Sequence, residues 1–229
     1  MARPRQVTDE AILETARACV LAQGPGVSLD AVAERLGVSG PALLKRFGSR
    51  QALMIAALRP SAMPPWMDVL GEPPTAAPLC EQLHALFERI LAFFAQEVPR
   101  MSALCESGIP LSAIFDADTA PPPVQGARAL ADWISRARDL GLVEGEDFET
   151  TASAMLGALQ GRVFSRHLFK RAWWKRTERE FLSDLATLFS RALAPSQASN
   201  AGDATHIRSQ PAVQSARRPA AIRSARGNR

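Results

Sequence analysis

Residues 28–47 read SLDAVAERLGVSGPALLKRF, and their spacing specifies two short helices joined by a tight bend. Ser28 can cap a helix whose apolar face is Leu29, Val32, Ala33 and Leu36, because residues three and four apart share one side of a helix. Gly37 ends it, since glycine tolerates the positive φ of the bend. Val38 and Ser39 then lead into a second helix whose inward residues are Ala42, Leu43 and Phe47. Ala33 is small where the helices would cross, Gly37 sits at the turn and Leu43 returns to the core, so three positions agree on a helix-turn-helix. The second helix presents Ser39, Gly40, Pro41, Ala42, Lys45 and Arg46 outward, with Ala42 at the border and counted on both faces. In this motif the N-terminal part of that helix enters the DNA major groove. Small residues permit close approach, and Pro41 fits a first turn where its N–H has no intrahelical use. Lys45 and Arg46 supply charge for phosphates or guanine edges. The competing interpretation of the same residues is a tight αα-hairpin with a solvated basic end.

The flanking sequence supplies support for this pair. Thr8 can cap a first helix over about Asp9 to Ala22, which turns Ile12, Leu13, Ala16, Cys19 and Val20 inward. Before it, residues 1–8 form an arm carrying Arg3 and Arg5. After Gly48 and Ser49 a fourth helix runs through Leu53, Met54, Ala57 and Leu58 and stops at Pro60.

The stretch from Glu10 to Ala56 resembles the N-terminal domain of TetR-family transcriptional regulators in order and spacing. AILETARACVLAQG is similar to that family's first helix, and GVSGPALLKRFGSRQAL to its turn, recognition helix and start of helix four. The resemblance implies that Ser28, Ser39, Gly40, Pro41, Ala42, Lys45 and Arg46 touch DNA, and that Arg50 meets a phosphate at the start of helix four. The chain departs from the family pattern at Leu44, where a tyrosine is common, and at Arg46, where histidine is frequent.

Residues 59–78, RPSAMPPWMDVLGEPPTAAP, hold six prolines, so no regular helix can run through them, although Trp66, Met67, Val69 and Leu70 can form an apolar turn. From Leu79 to Val98 an amphipathic helix is expected, ended by Pro99 and followed by a short helix over Met101 to Ser107. LSAIFDADTAPPPV reads as a loop, and its prolines precede a helix from about Val124 to Leu140. Two further helices, Phe148 to Arg171 and Glu178 to Leu193, flank the bulky, basic AWWKRT. In the first, Gly157, Ala158 and Gly161 allow close helix approach. The resemblance places a four-helix dimer interface on these last two helices, with Ala152, Leu156, Leu159, Val163, Leu182, Leu185 and Phe189 as its candidates, although core packing would explain the same residues. It also implies a small-molecule trigger. Trp66, Phe94, Met101, Cys105, Trp133, Met155 and Phe164 could line a cavity for a small apolar or amphipathic ligand. Trp173 and Trp174, beside Lys175 and Arg176, suit an amphipathic surface or lid.

The expected architecture is therefore all-α. Residues 1–58 form a three-helix helix-turn-helix domain with its connecting helix, 59–78 a proline-rich linker, 79–194 a helical ligand-binding and dimerisation domain, and 195–229 a disordered basic tail. Residues 1–59 carry eight Lys/Arg against five Asp/Glu, and the middle thirteen against seventeen; a basic head on an acidic body suits a DNA reader. No stretch approaches the roughly 20 apolar residues of a membrane helix, and the start MARPRQVTDE lacks a signal peptide's apolar region, so a cytoplasmic protein is expected. Cys19, Cys80 and Cys105 read as buried thiols. The inventory argues against an enzyme: His84 with Glu81 and Glu88 is better explained as a solvated face than a metal site, His167 has no nearby carboxylate to orient it, and His206 lies in the expected tail. No cofactor is expected. The partners are a double-stranded operator, a second copy of the chain and the ligand, with no membrane. The alternatives are a helical protein-interaction adaptor or a small-molecule-binding protein without sequence-specific DNA binding.

Overall fold

The computed structural model describes residues 7–60, 63–110, 113–115, 120–169 and 174–195. The arm residues Arg3 and Arg5, Trp173 and the tail from 196 onward lie outside them. Among the described residues the chain is helical: α1 Asp9–Gln23, α2 Leu29–Leu36, α3 Gly40–Phe47, α4 Arg50–Leu58, α5 Trp66–Gly71, α6 Leu79–Glu106, α7 Pro122–Asp139, α8 Glu149–Phe169 and α9 Glu178–Ala192.

The first four helices are set by local signals. Thr8, Ser28, Ser39 and Ser49 each occupy an N-cap and accept a hydrogen bond from the backbone N–H three residues on, which satisfies one orphan donor per helix. Between α2 and α3, Gly37 adopts φ 66°, a left-handed conformation that a residue with a Cβ resists. Ile12, Ala16, Val20, Val32, Leu43, Leu53 and Met54 form the core of this head, and Ala103 and Leu104 of α6 complete it.

The expected break at Pro99 does not occur, because α6 continues through it to Glu106. Pro99 removes the N–H that would bond the Ala95 carbonyl, a local loss. Burial on both sides outweighs it: Ile90, Leu91 and Val98 enter the body core, and Leu104 the head core. One 28-residue helix, roughly 42 Å long at 1.5 Å per residue, thus serves both. At the junction the Glu97 carboxylate is 7 % exposed and accepts from Arg100 at 2.6 Å, while Arg17 of α1 donates to the Ala57 carbonyl of α4 at 2.8 Å. Burial raises the Glu97 pKa above its ordinary value, against the opposing pull of Arg100 and Arg17.

The body packs α6, α7, α8 and α9 around Phe87, Ile90, Leu130, Ile134, Met155 and Leu159. The apolar turn expected in the proline-rich segment is the helix α5, whose Trp66 and Leu70 are buried in this core. Trp66 lies on Gly126 of α7, where an added Cβ would meet the indole at 2.9 Å. Close contact of α5 with α7 therefore requires glycine there. The prolines expected to precede α7 begin it instead: Pro122 opens the helix, where no intrahelical N–H is needed.

Candidate nucleic-acid interface

The structure separates the eight residues expected to touch DNA into those that face out and those that hold the head together. Ser28 and Ser39 are exposed. Each hydroxyl oxygen accepts a capping N–H, from Ala31 at 3.1 Å and from Ala42 at 3.3 Å, and each keeps its own O–H to donate to a phosphate. Pro41, Ala42 and Lys45 are exposed along α3 beside Leu44, while Leu43 is buried and anchors the helix. Lys45 makes no ion pair among the described residues. Ala42 resolves to the outer face.

Three of the eight make contacts within the head. Gly40 is buried rather than outward, with a virtual Cβ 2.3 Å from an Asp30 carboxylate oxygen, so its small size serves the approach of α3 to α2. Arg46 forms an ion pair with Asp9 and donates to the Val7 carbonyl, which ties the end of α3 to the start of α1. Arg50 donates through Nε to the Val27 carbonyl at 3.0 Å and also binds the Pro25 carbonyl. Its guanidinium thereby secures the segment that leads into Ser28. A guanidinium offers five N–H donors in a fixed fork, and here Nε and Nη2 donate to the chain's own backbone.

Of the seven expected pocket residues, four gather at the body core and three lie elsewhere. Trp66, Trp133 and Met155 fill the body core, Phe94 packs on its edge, and Met101 packs against the head core. Phe164 is 46 % exposed and Cys105 lies exposed in the last turn of α6, so the expectation of three buried thiols holds for Cys19 only, Cys80 being half-buried. A 260 Å³ cleft lies elsewhere, between α7 and the start of α8, and is polar, lined by Arg128, Asp132, Glu146, Asp147 and Glu149 among others. Of the expected dimer residues, Ala152, Leu156, Leu159, Val163, Leu182 and Leu185 are buried in the chain's own core, and Phe189 meets Phe87 edge-on. The same helices leave Phe164, Leu168 and Leu188 exposed, with Gly157 and Gly161 on the open stripe of α8.

Two charged residues are buried without a sequence signal. One is Glu97. The other is Arg162 of α8, whose guanidinium lies 5.0 Å from the ring centroids of both Trp174 and Phe181 and donates to the Arg176 carbonyl at 2.6 Å. Burial, then Arg166, lowers its pKa. Trp174 is therefore a cover for a buried cation. No motif announces either residue: Arg162 is defined by partners across a turn and on α9, and Glu97, although paired with Arg100 within α6, is defined by its burial.

An anchored helix-turn-helix with an exposed, partly basic recognition helix, carried on a separate helical body, defines the class of DNA-binding transcriptional regulators. Residues 12–57 match the family model of bacterial regulatory proteins, tetR family, and over those residues the chain is similar to that family. The fold is shared with solved structures over most of its length. A regulator assigned to the TetR family from Mesorhizobium loti MAFF303099 is 16% identical with a TM-score of 0.61, covering 80% of this chain and 93% of its own. The flavonoid-responsive regulator FrrA is 22% identical with a TM-score of 0.53, covering 82% and 97%. NalD, the secondary repressor of the MexAB-OprM multidrug efflux pump in Pseudomonas aeruginosa, is 16% identical with a TM-score of 0.51, covering 82% and 96%. No curated protein sequence matches the chain.

Proposed function

We propose that the chain is a cytoplasmic, homodimeric repressor that binds a near-palindromic operator and releases it when a small apolar or amphipathic ligand occupies the body. The observation that carries this is the outer face of α3, where Ser39, Pro41, Ala42 and Lys45 are open to a partner while Leu43 fixes the helix from behind. Ser28, Ser39 and Lys45 supply the backbone and base contacts. Arg46, Arg50 and Gly40 position them. No step of catalysis is assigned to the chain. Comparison with FrrA and NalD supports a ligand-responsive repressor, as one is described as flavonoid-responsive and the other as a repressor.

Ligand response needs differential affinity for two states of the molecule. The route available is α6, whose body half packs against α8 and α9 and whose far end packs against α1 and α4. A ligand that displaces the body half moves Glu97 relative to Arg17 and Ala57, and so changes the separation of two heads that must span half-sites about one DNA turn apart, or a multiple of it. The buried indole Nε1 of Trp66, without a hydrogen-bond partner, supplies a donor that a ligand acceptor would satisfy.

The test is selection of genomic DNA fragments by the purified full chain at physiological salt, with Lys45→Ala alongside. Wild type is expected to enrich inverted repeats, and Lys45→Ala to bind them at least about tenfold more weakly, the loss of a contact worth about 1–3 kcal/mol in each head. Absence of enrichment, or equal weak binding by both proteins, rejects sequence-specific DNA binding.

A further inference from the structure

The chemistry of the open face of α3 restricts what it can read. Residues 41, 42, 44, 45 and 46 are exposed and spaced so that each lies three or four positions from another, forming one continuous patch on a helix. Three of the five are apolar: Pro41, Ala42 and Leu44, the last 42 % exposed. Apart from Arg46, none is an Asn, Gln, Arg, Asp or Glu, the side chains that pair with adenine or cytosine, or fork onto guanine. Arg46, the one guanidinium on this helix, is held by Asp9 and the Val7 carbonyl. Lys45 remains as the hydrogen-bonding side chain beyond the cap residue Ser39.

An apolar side chain pressed against a base edge finds one apolar group in the major groove, the C5 methyl of thymine. Against cytosine, guanine or adenine it would bury polar edge atoms without a partner. We infer that Pro41, Ala42 and Leu44 read thymine methyl groups, next to a guanine contacted by Lys45, so that each half-site is specified chiefly by thymine methyls. This rests on the DNA-binding role proposed above and names the base chemistry that serves it. Ser39, on the same edge of the helix, is left for the phosphate.

Deoxyuridine tests this with a single atom group. It keeps the pairing and the O4 acceptor of thymine and lacks only the methyl. In the operator recovered by selection, each thymine of one half-site is replaced in turn by deoxyuridine and affinity is measured with the full chain. Burial of one methyl is worth about fourfold, so at least one thymine per half-site is expected to show a loss of that size. Ala42→Gly and Leu44→Ala, both at exposed positions, are expected to bind thymine and uracil operators equally at the affected step. If no replacement weakens binding to an operator that wild type holds tightly, the assignment of methyl contacts is wrong while DNA binding stands. Equal uracil sensitivity in wild type and both variants also overturns it, since the methyl would then act through DNA shape. Failure to recover any operator is a different result and falls on the DNA-binding proposal itself.

Discussion

Glu97 has one oxygen on Arg100 and the other buried without a hydrogen-bond partner, and its burial makes the carboxylate costly. Its pKa in the folded chain lies above the ordinary value of 4.5, so folding favours the protonated form. The stability this contributes is fully present below pH 4.5 and is lost as pH rises through the folded pKa. Glu97→Gln keeps the shape and removes the titration. The melting temperature of wild type minus that of the variant is therefore expected to fall from about pH 4 upward and then level off; a difference independent of pH would show that the charge is fully compensated by Arg100 and Arg17. This residue, like Arg46 and Arg50, illustrates what the sequence hides. Thr8 and Ser28 were legible as caps because a cap bonds a backbone group three residues away. Arg46 answers to Asp9 and Val7, and Arg50 to Pro25 and Val27, partners that become neighbours only when α1, α2, α3 and α4 have packed. Basic residues in a recognition segment suggest DNA contact from their charge alone, and charge does not reveal whether a carbonyl has already claimed the donors.

At the scale of elements the periodic helices were legible throughout the head, where each has one apolar stripe and a cap. Two elements show tertiary burial overriding local propensity, and one of them, α6, departed from expectation. The segment around Trp66 forms α5 because Trp66 and Leu70 enter the body core, and α6 passes through Pro99 because both its ends are buried. A proline inside a helix costs about 3 kcal/mol relative to alanine, offset by about 1 kcal/mol for the freedom it removes from the unfolded chain. Pro99→Ala is therefore expected to stabilise the protein by about 2 kcal/mol in urea unfolding. Unchanged or lower stability would mean that α6 packs against both cores only with the local geometry proline imposes. The faces of α8 were the least legible. Small and apolar residues surround most of this helix, so periodicity could not tell Leu156 and Leu159, which are buried in the chain's own core, from Phe164 and Leu168, which are exposed.

The whole molecule follows from that last distinction. One head can bury only about 600–1,000 Å² of protein surface on DNA, too little for a selective grip, and joining two heads adds an effective concentration that can raise affinity by about a hundredfold or more. The surface that can join them is the open stripe of α8, with Gly157 and Gly161 admitting a close neighbour and Phe164 and Leu168 extending it, beside Leu188 of α9. At 46 %, 53 % and 60 % exposure, Phe164, Leu168 and Leu188 keep apolar area in water that a second copy would remove, at about 25 cal/mol per Å². Phe164→Glu combined with Leu188→Glu sets charge on that surface without touching the core behind it. Sedimentation is expected to show a monomer of undiminished helix content, and operator affinity is expected to fall by about a hundredfold or more, while a half-site duplex is bound as before. A double variant that remains dimeric would place the contact between copies elsewhere and leave the exposed apolar residues of α8 and α9 to another partner. A monomer that keeps full operator affinity would instead remove the reason for a two-headed grip.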